Sequence, residues 1–414
     1  MDRKIIFVFL IVIFSLKYFD ATIAASGVLK NLSYAFMLLS VIISIPFFFK
    51  YRGGFVLPVQ LICFSILFSI FLAKYTWGQG LEYSATTLPY LCWFFYFYLL
   101  SSNLSVQVIE KIVLIYGILY IILFLFQFTH NGVLYFGYRD LVMDRGVIRI
   151  IFPGGGVFFL SCFIAINKVT STSKFKYLWG AFALIGIVIV IMQVTRQQIF
   201  FMLLFYLVHF LRNVKLHYKI ITVVMFVASA YLFINSDNPI SRGLVEQQKT
   251  DTSAGGDYIR VLGAKYFLSE FTPNDLSKLF GNGFPNDTSP YGKRLAYLSE
   301  NYGYYLTDFG LIEVYICFGI FAVIGYLIIF YKSITIPLPA DQYYLKYYLW
   351  FVLCTSLTSD ALISYSFLIT TVFALYCYHR IIIEEKLFNN VLIDSKRQLM
   401  MAKTVERRAK IRPQ

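Results

Sequence analysis

The chain has 414 residues, 59% of them apolar and 14% charged, with a mean hydropathy of +0.69. That balance excludes a water-soluble globular protein, because the apolar residues suffice for about twelve bilayer spans of ~20 residues each. The net charge of +14 comes from 36 Lys and Arg against 22 Asp and Glu. It does not point to a nucleic acid, because the basic residues fall in short loops and a tail, where they set orientation in a membrane.

The first apolar run, 5 to 19, follows Met1-Asp2-Arg3-Lys4 and imitates a secretory leader. Lys17 and Asp20 stand where small cleavage-site residues belong, so the run is expected to stay as a first span. Further spans are predicted at 32 to 49, 56 to 73, 84 to 101, 109 to 128, 150 to 167, 177 to 194, 197 to 211, 219 to 234, 309 to 331, 344 to 358 and 361 to 383. The expected fold is all-α, a polytopic membrane protein with about 12 transmembrane helices and one large external loop. Its parts are 1–234 (helices 1–9, with a smaller external loop at 129–149), 235–308 (the large external, periplasmic loop), 309–383 (helices 10–12) and 384–414 (a basic cytoplasmic tail). If Arg3 and Lys4 are cytoplasmic, the same side receives Lys50, Arg52, Lys168, Arg212, Lys332 and the tail cations, as positive-inside orientation requires, and both termini are cytoplasmic.

Several chemistries lack their signatures. The sequence holds no phosphate-binding glycine loop followed by Lys-Ser or Lys-Thr, no complete GxGxxG, no HExxH, no paired CxxC and no DxD, so no cofactor or metal is expected. Cys63, Cys92, Cys162, Cys317, Cys354 and Cys377 all lie in apolar runs and read as packing residues. Tyr and Phe, at 33 and 43 residues, suit interfacial belts, lipid-facing surfaces and sugar-stacking grooves alike.

The unusual feature is a set of arginines on the side that positive-inside orientation disfavours: Arg145, Arg149, Arg196, Arg242, Arg260 and Arg294, with Arg139 beside them. A permanently charged fork of donors grips phosphate or pyrophosphate, so an anionic outer ligand is expected. Arg196 interrupts the apolar stretch from Tyr177 to Leu211 and should lie in the first turn of the eighth span, where helix amides also favour anions; an exposed outer turn is the plainer alternative. Arg145-Gly146-Val147-Ile148-Arg149 runs into the glycines 154 to 156. In the large loop Asp257-Tyr258-Ile259-Arg260 opens an amphipathic helical spacing that ends at Thr272-Pro273. Then come Gly281-Asn282-Gly283-Phe284, Ser299-Glu300-Asn301-Tyr302, and Leu306-Thr307-Asp308-Phe309-Gly310-Leu311 at the head of the tenth span.

The order of these pieces over residues 140 to 330 resembles the O-antigen polymerase and O-antigen ligase superfamily: an arginine heading a mid-chain span, a loop reading Asp-Tyr-x-Arg, a Gly-x-Gly-Phe turn, and Tyr-x-x-x-Leu-x-Asp-x-Gly-Leu. The resemblance implies a metal-independent glycosyltransferase of the bacterial inner (cytoplasmic) membrane. It would join polyprenyl-pyrophosphate-linked oligosaccharide repeat units of O-antigen, capsule or exopolysaccharide on the outer face. Membrane lipid surrounds it, and a chain-length regulator and a flippase are implied as partners. By the resemblance Arg196, Arg260 and Asp308 match family positions; Glu300 joins them as a catalytic candidate, with Asp257 a further carboxylate. Arg145, Arg149, Arg242, Asp257, Tyr258, Arg294 and Tyr302 are expected to bind substrate, and Tyr291, Tyr297 and Tyr304 to stack on sugars. Ligases carry a histidine near the position of Ser299 or Glu300, and this loop has none, which favours polymerisation. A polysaccharide flippase or carrier is the alternative from another class.

Overall fold

A computed structural model of the chain describes residues 3–16, 27–136, 142–144, 147–150, 153–171, 174–193, 195–212, 216–235 and 258–384. Their regular elements are helices and one antiparallel hairpin, β1 (Val142–Asp144) and β2 (Val147–Arg149), which pairs Val142 with Arg149 and Asp144 with Val147. Among the described residues five helices are long and apolar enough to cross a membrane: Asn31–Phe48 within α2 (Gly27–Phe48), α3 (Val56–Trp77), α5 (Val106–Thr129), α13 (Leu311–Thr335) and α15 (Tyr365–Glu384). A helix closes its own backbone hydrogen bonds, which is what an apolar run needs in hydrocarbon. The outward side chains on these helices include Ile42, Phe71, Ile122 and Leu327, each at least half exposed. The surface of the bundle is therefore apolar, as in a membrane protein.

The shorter helices are α1 (Arg3–Leu16), α4 (Phe95–Ser102), α6 (Gly155–Thr170), α7 (Lys176–Met192), α8 (Arg196–Arg212), α9 (Leu216–Ile234) and α14 (Tyr344–Thr355). α3 packs along α13, and α6 sits among α5, α7 and α14. Small residues permit these approaches: a Cβ on Gly325 of α13 would stand 2.8 Å from the Pro58 carbonyl of α3. All six cysteines are free thiols, five of them buried, as packing residues should be.

The run expected as one span at 84 to 101 is instead a 3₁₀ helix, Tyr83–Phe94, that continues into α4. Pro89 sits within it and removes an amide that an α-helix there would use, while Tyr90, Leu91, Cys92, Trp93 and Phe94 are all buried.

Tyrosine has a further use that composition did not suggest. Buried hydroxyls tie one segment's side chain to another's backbone carbonyl: Tyr116 to Phe9 at 2.7 Å, Tyr326 to Leu362 at 2.9 Å, Tyr378 to Ile336 at 2.7 Å. Apolar contact alone distinguishes poorly between a neighbouring helix and lipid, so a directional bond adds registration.

α13 is interrupted. Gly319 takes φ 78° and ψ −177°, which breaks the hydrogen-bond ladder within the segment Leu311–Thr335. The chain reaching this break from outside is Gly281-Asn282-Gly283, directly after α11 (Asp275–Phe280). Its backbone donates from Asn282 to the Ile316 carbonyl and from Gly283 to the Cys317 carbonyl, both at 2.9 Å, and Asn282 Nδ2 donates to Ile316 as well. A Cβ at Gly281 would fall 2.2 Å from the Cys317 oxygen. The Gly-x-Gly turn read in the sequence is thus the strand of backbone that completes a broken membrane helix.

The same segment is fixed to the end of α3. Trp77 Nε1 donates to Asn282 Oδ1 at 2.9 Å, and Asn274 Nδ2 donates to Thr76 Oγ1 at 3.0 Å. Gln79, fully buried, donates to the Phe284 carbonyl at 3.0 Å and accepts from Asn286 N and Ser289 Oγ at 3.1 and 2.7 Å. Gln79→Leu strands these partners and is expected to cost about 2–4 kcal/mol. A thermal unfolding midpoint in detergent equal to that of the unaltered chain would refute this anchoring role.

Candidate functional site

α10 (Ile259–Ser269) lies over the head of α13. Its Gly263 and Phe267 face Phe309: the two phenyl rings are 5.2 Å apart, and a Cβ on Gly263 would meet Phe309 Cζ at 2.5 Å. Arg260 precedes Gly263 and Phe267 by three and seven positions and therefore shares their helix face. It reaches the neighbour of Phe309. Arg260 Nη2 and Nε donate to Asp308 Oδ2 at 3.1 and 3.3 Å. The amphipathic spacing read from the sequence thus orients Arg260, and the turn Leu306–Asp308 presents its carboxylate.

This pair is neither sealed nor fully in water, with side chains 29% and 39% exposed. An ion pair of that exposure contributes little to stability. Both donors converge on a single carboxylate oxygen, an arrangement from which the guanidinium can be drawn to a stronger anion. Tyr258 lies with its ring centroid 6.0 Å from the Arg260 guanidinium carbon. Gly310, at φ 49°, lets the following turn pass the Ser356 carbonyl, which a Cβ would meet at 1.5 Å.

Arg294 lies on α12 (Pro290–Tyr302) and is engaged with aromatic residues. Its Nη2 donates to Tyr266 OH at 2.9 Å, and its guanidinium carbon lies 5.5 Å from the Tyr297 ring centroid. Tyr302 stands 6.0 Å from Tyr297 and 5.7 Å from Tyr304, ring to ring. Glu300 is exposed on the same helix. Arg196 is the first residue of α8, half-buried, where the sequence placed it. It follows the turn that closes α7, in which Gln193 Nε2 donates to Tyr120 OH. Arg149 belongs to β2. Arg139, Arg145, Arg242 and Asp257 lie outside the described residues.

So the structure joins Arg260 with Asp308, and Arg294 with Tyr266 and Tyr297, while Arg196 heads α8. Sequence reasoning missed Glu313. It is 2% exposed in the first turn of α13, and its Oε2 has no hydrogen-bond partner among the described residues. Asp308 and Asp360 stand within electrostatic range of it. The available signal was its isolation as the one acidic residue of a long apolar run. Beside it Tyr291 is fully buried, stacked on Trp77 at 5.4 Å. Burial holds the Tyr291 hydroxyl well above its ordinary range, with the nearby Cys317 and Glu313 acting in the same direction, so the phenol stays neutral.

Among the described residues no group of three or more His, Cys, Asp or Glu is arranged to hold a metal ion. No family model matches the chain, and no curated protein matches it.

Proposed function

We propose that the protein is a polysaccharide polymerase, a membrane glycosyltransferase that joins polyprenyl-pyrophosphate-linked oligosaccharide repeat units. In this reading the chain crosses a bacterial inner membrane about twelve times, keeps both termini in the cytoplasm, and works at the outer face with residues 235–308 as its large external loop. The observation that carries it is the half-exposed Arg260–Asp308 pair, at the head of a helix long and apolar enough to span a membrane. Arg196, opening α8, supports it, because an N-terminal helix turn and a guanidinium both favour a diphosphate.

The chemistry assigns each partner a task. The diphosphate of the donor draws Arg260 from Asp308, and the freed carboxylate takes the proton of an acceptor hydroxyl. The hydroxyl oxygen bonds to the anomeric carbon, the bond from that carbon to the phosphate oxygen breaks, and its electron pair leaves with the polyprenyl diphosphate. Charge gathering there is stabilised by Arg260 and Arg196, so the departing group needs no acid. A ligase would follow the same bond changes with a different acceptor, and the lack of a loop histidine disfavours it.

One observation favours a second reading, a polysaccharide carrier: Glu313 is a buried acid in the first turn of a candidate span, and buried acids in spans mark many transport pathways. Arg196→Ala separates the two in a cell that builds polymeric surface glycan. Single repeat units at the surface support the polymerase, loss of exported glycan supports the carrier, and unaltered chain lengths at normal protein level reject both. Arg196→Lys is expected to fail nearly as badly as alanine, because a planar fork becomes a point charge; chain-length distributions like the parent's would remove Arg196 from the mechanism.

A further inference from the structure

Tyr266, Tyr297, Tyr302 and Tyr304 lie ring to ring on the segment from α10 to the head of α13, with the exposed Arg294 beside them. Arg294 touches both ends of the set, through Tyr266 OH at 2.9 Å and the Tyr297 ring at 5.5 Å. The rings run from Tyr297 to Tyr302 at 6.0 Å, to Tyr304 at 5.7 Å with planes 29° apart, and to Tyr266 at 6.0 Å. The protein's own guanidinium already takes up the Tyr297 ring and the Tyr266 hydroxyl that it contacts. What is left for a ligand is the outer side of the cluster, where Tyr297 and Tyr302 are 46% and 51% exposed.

That face is not a lipid surface. The exposed side chains of α12 beside the two tyrosines are Lys293, Glu300 and Asn301, which hydrocarbon does not tolerate. Large aromatic faces kept open to water at a cost, and flanked by hydrogen-bonding groups, match the alternation of C–H faces and hydroxyl edges on a pyranose. The electron-rich ring face meets the weakly positive C–H bonds, and the phenol tips and Asn301 meet the hydroxyls. Arg294 on Tyr297, and the ring contacts of Tyr302 with Tyr297 and Tyr304, set the two rings in advance, so less ordering entropy is lost on binding. The cluster also adjoins the Arg260–Asp308 pair: Tyr304 and Phe309 both line Gly263, one turn from Arg260.

We propose that Tyr297 and Tyr302, set by Arg294, form a carbohydrate-binding platform that holds a pyranose chain beside the Arg260–Asp308 pair. The identity of that chain as the growing glycan rests on the polymerase reading, but the platform itself does not.

The test uses the full chain, purified in detergent and applied to a printed array of bacterial surface oligosaccharides. Binding to at least one glycan is expected, with affinity lowered roughly tenfold in Tyr297→Ala and in Tyr302→Ala. Tyr302→Phe should keep most of the binding, because the ring face remains. No bound glycan, or binding unchanged in both alanine variants, would overturn the platform. Should the array result hold while Arg196→Ala leaves cellular chain lengths unaltered, the platform stands and the polymerase reading falls.

Discussion

Gly319→Ala is expected to abolish stable folding, with a loss of about 3–6 kcal/mol. Two costs add. The backbone at φ 78° and ψ −177° lies in a region that side chains with a Cβ avoid, and the new methyl would stand 2.3 Å from the Leu279 carbonyl oxygen and 2.5 Å from the Gly281 amide nitrogen. Neither neighbour can retreat, because both belong to the backbone segment whose amides satisfy the Ile316 and Cys317 carbonyls. Gly180→Ala is the control. It lies in α7 with nothing within 4 Å of the added atom, and alanine there only improves helix propensity. The comparison is read as yield of monodisperse protein and thermal midpoint in detergent. Equal behaviour of the two variants would show that the break in α13 is not required.

Arg260→Ala is expected to lower repeat-unit transfer about 10²–10³-fold while leaving stability within about 1 kcal/mol of the parent. The contrast follows from exposure: a pair 29% and 39% open to solvent contributes little to the fold, yet in the proposed mechanism the guanidinium is where a leaving diphosphate gathers charge. Asp308→Asn should fall in the same activity range with equally little effect on unfolding, since the amide keeps the shape and loses the proton acceptor. The assay is elongation of lipid-linked units by purified protein in vesicles. Normal elongation by either variant would dissociate the pair from catalysis, and joint loss of folding and activity would reassign it to structure.

Periodicity and apolar run length made a good part of this legible. The amphipathic spacing after Tyr258 became α10 and the arginine within the Tyr177 to Leu211 stretch heads α8, whereas the Gly-x-Gly segment, expected as a turn, runs as irregular backbone whose amides bond to Ile316 and Cys317. The contact between Arg260 and Asp308 was not legible, because 48 residues separate them and only the packing of Gly263 and Phe267 on Phe309 brings them together. The interruption at Gly319 was hidden for a different reason. A glycine among Cys317, Phe318, Ile320 and Phe321 reads as ordinary apolar helix, and only the arrival of a distant loop reveals the missing bonds. Glu313 escaped because attention follows polar loops, whereas a single acid in an apolar run leaves the hydropathy of the run almost unchanged. Interior tyrosines look like interfacial ones in sequence, since both stand among apolar neighbours.

The dependence of α13 on residues 281–283 bears on how such a protein diversifies. Exchanging the segment from 258 to 310 for that of another chain would import a donor loop without its matching acceptor carbonyls and leave a helix in hydrocarbon with unanswered oxygens. A functional chimera must therefore be cut beyond Gly319, so that the loop and the helix that accepts it are inherited together as one unit.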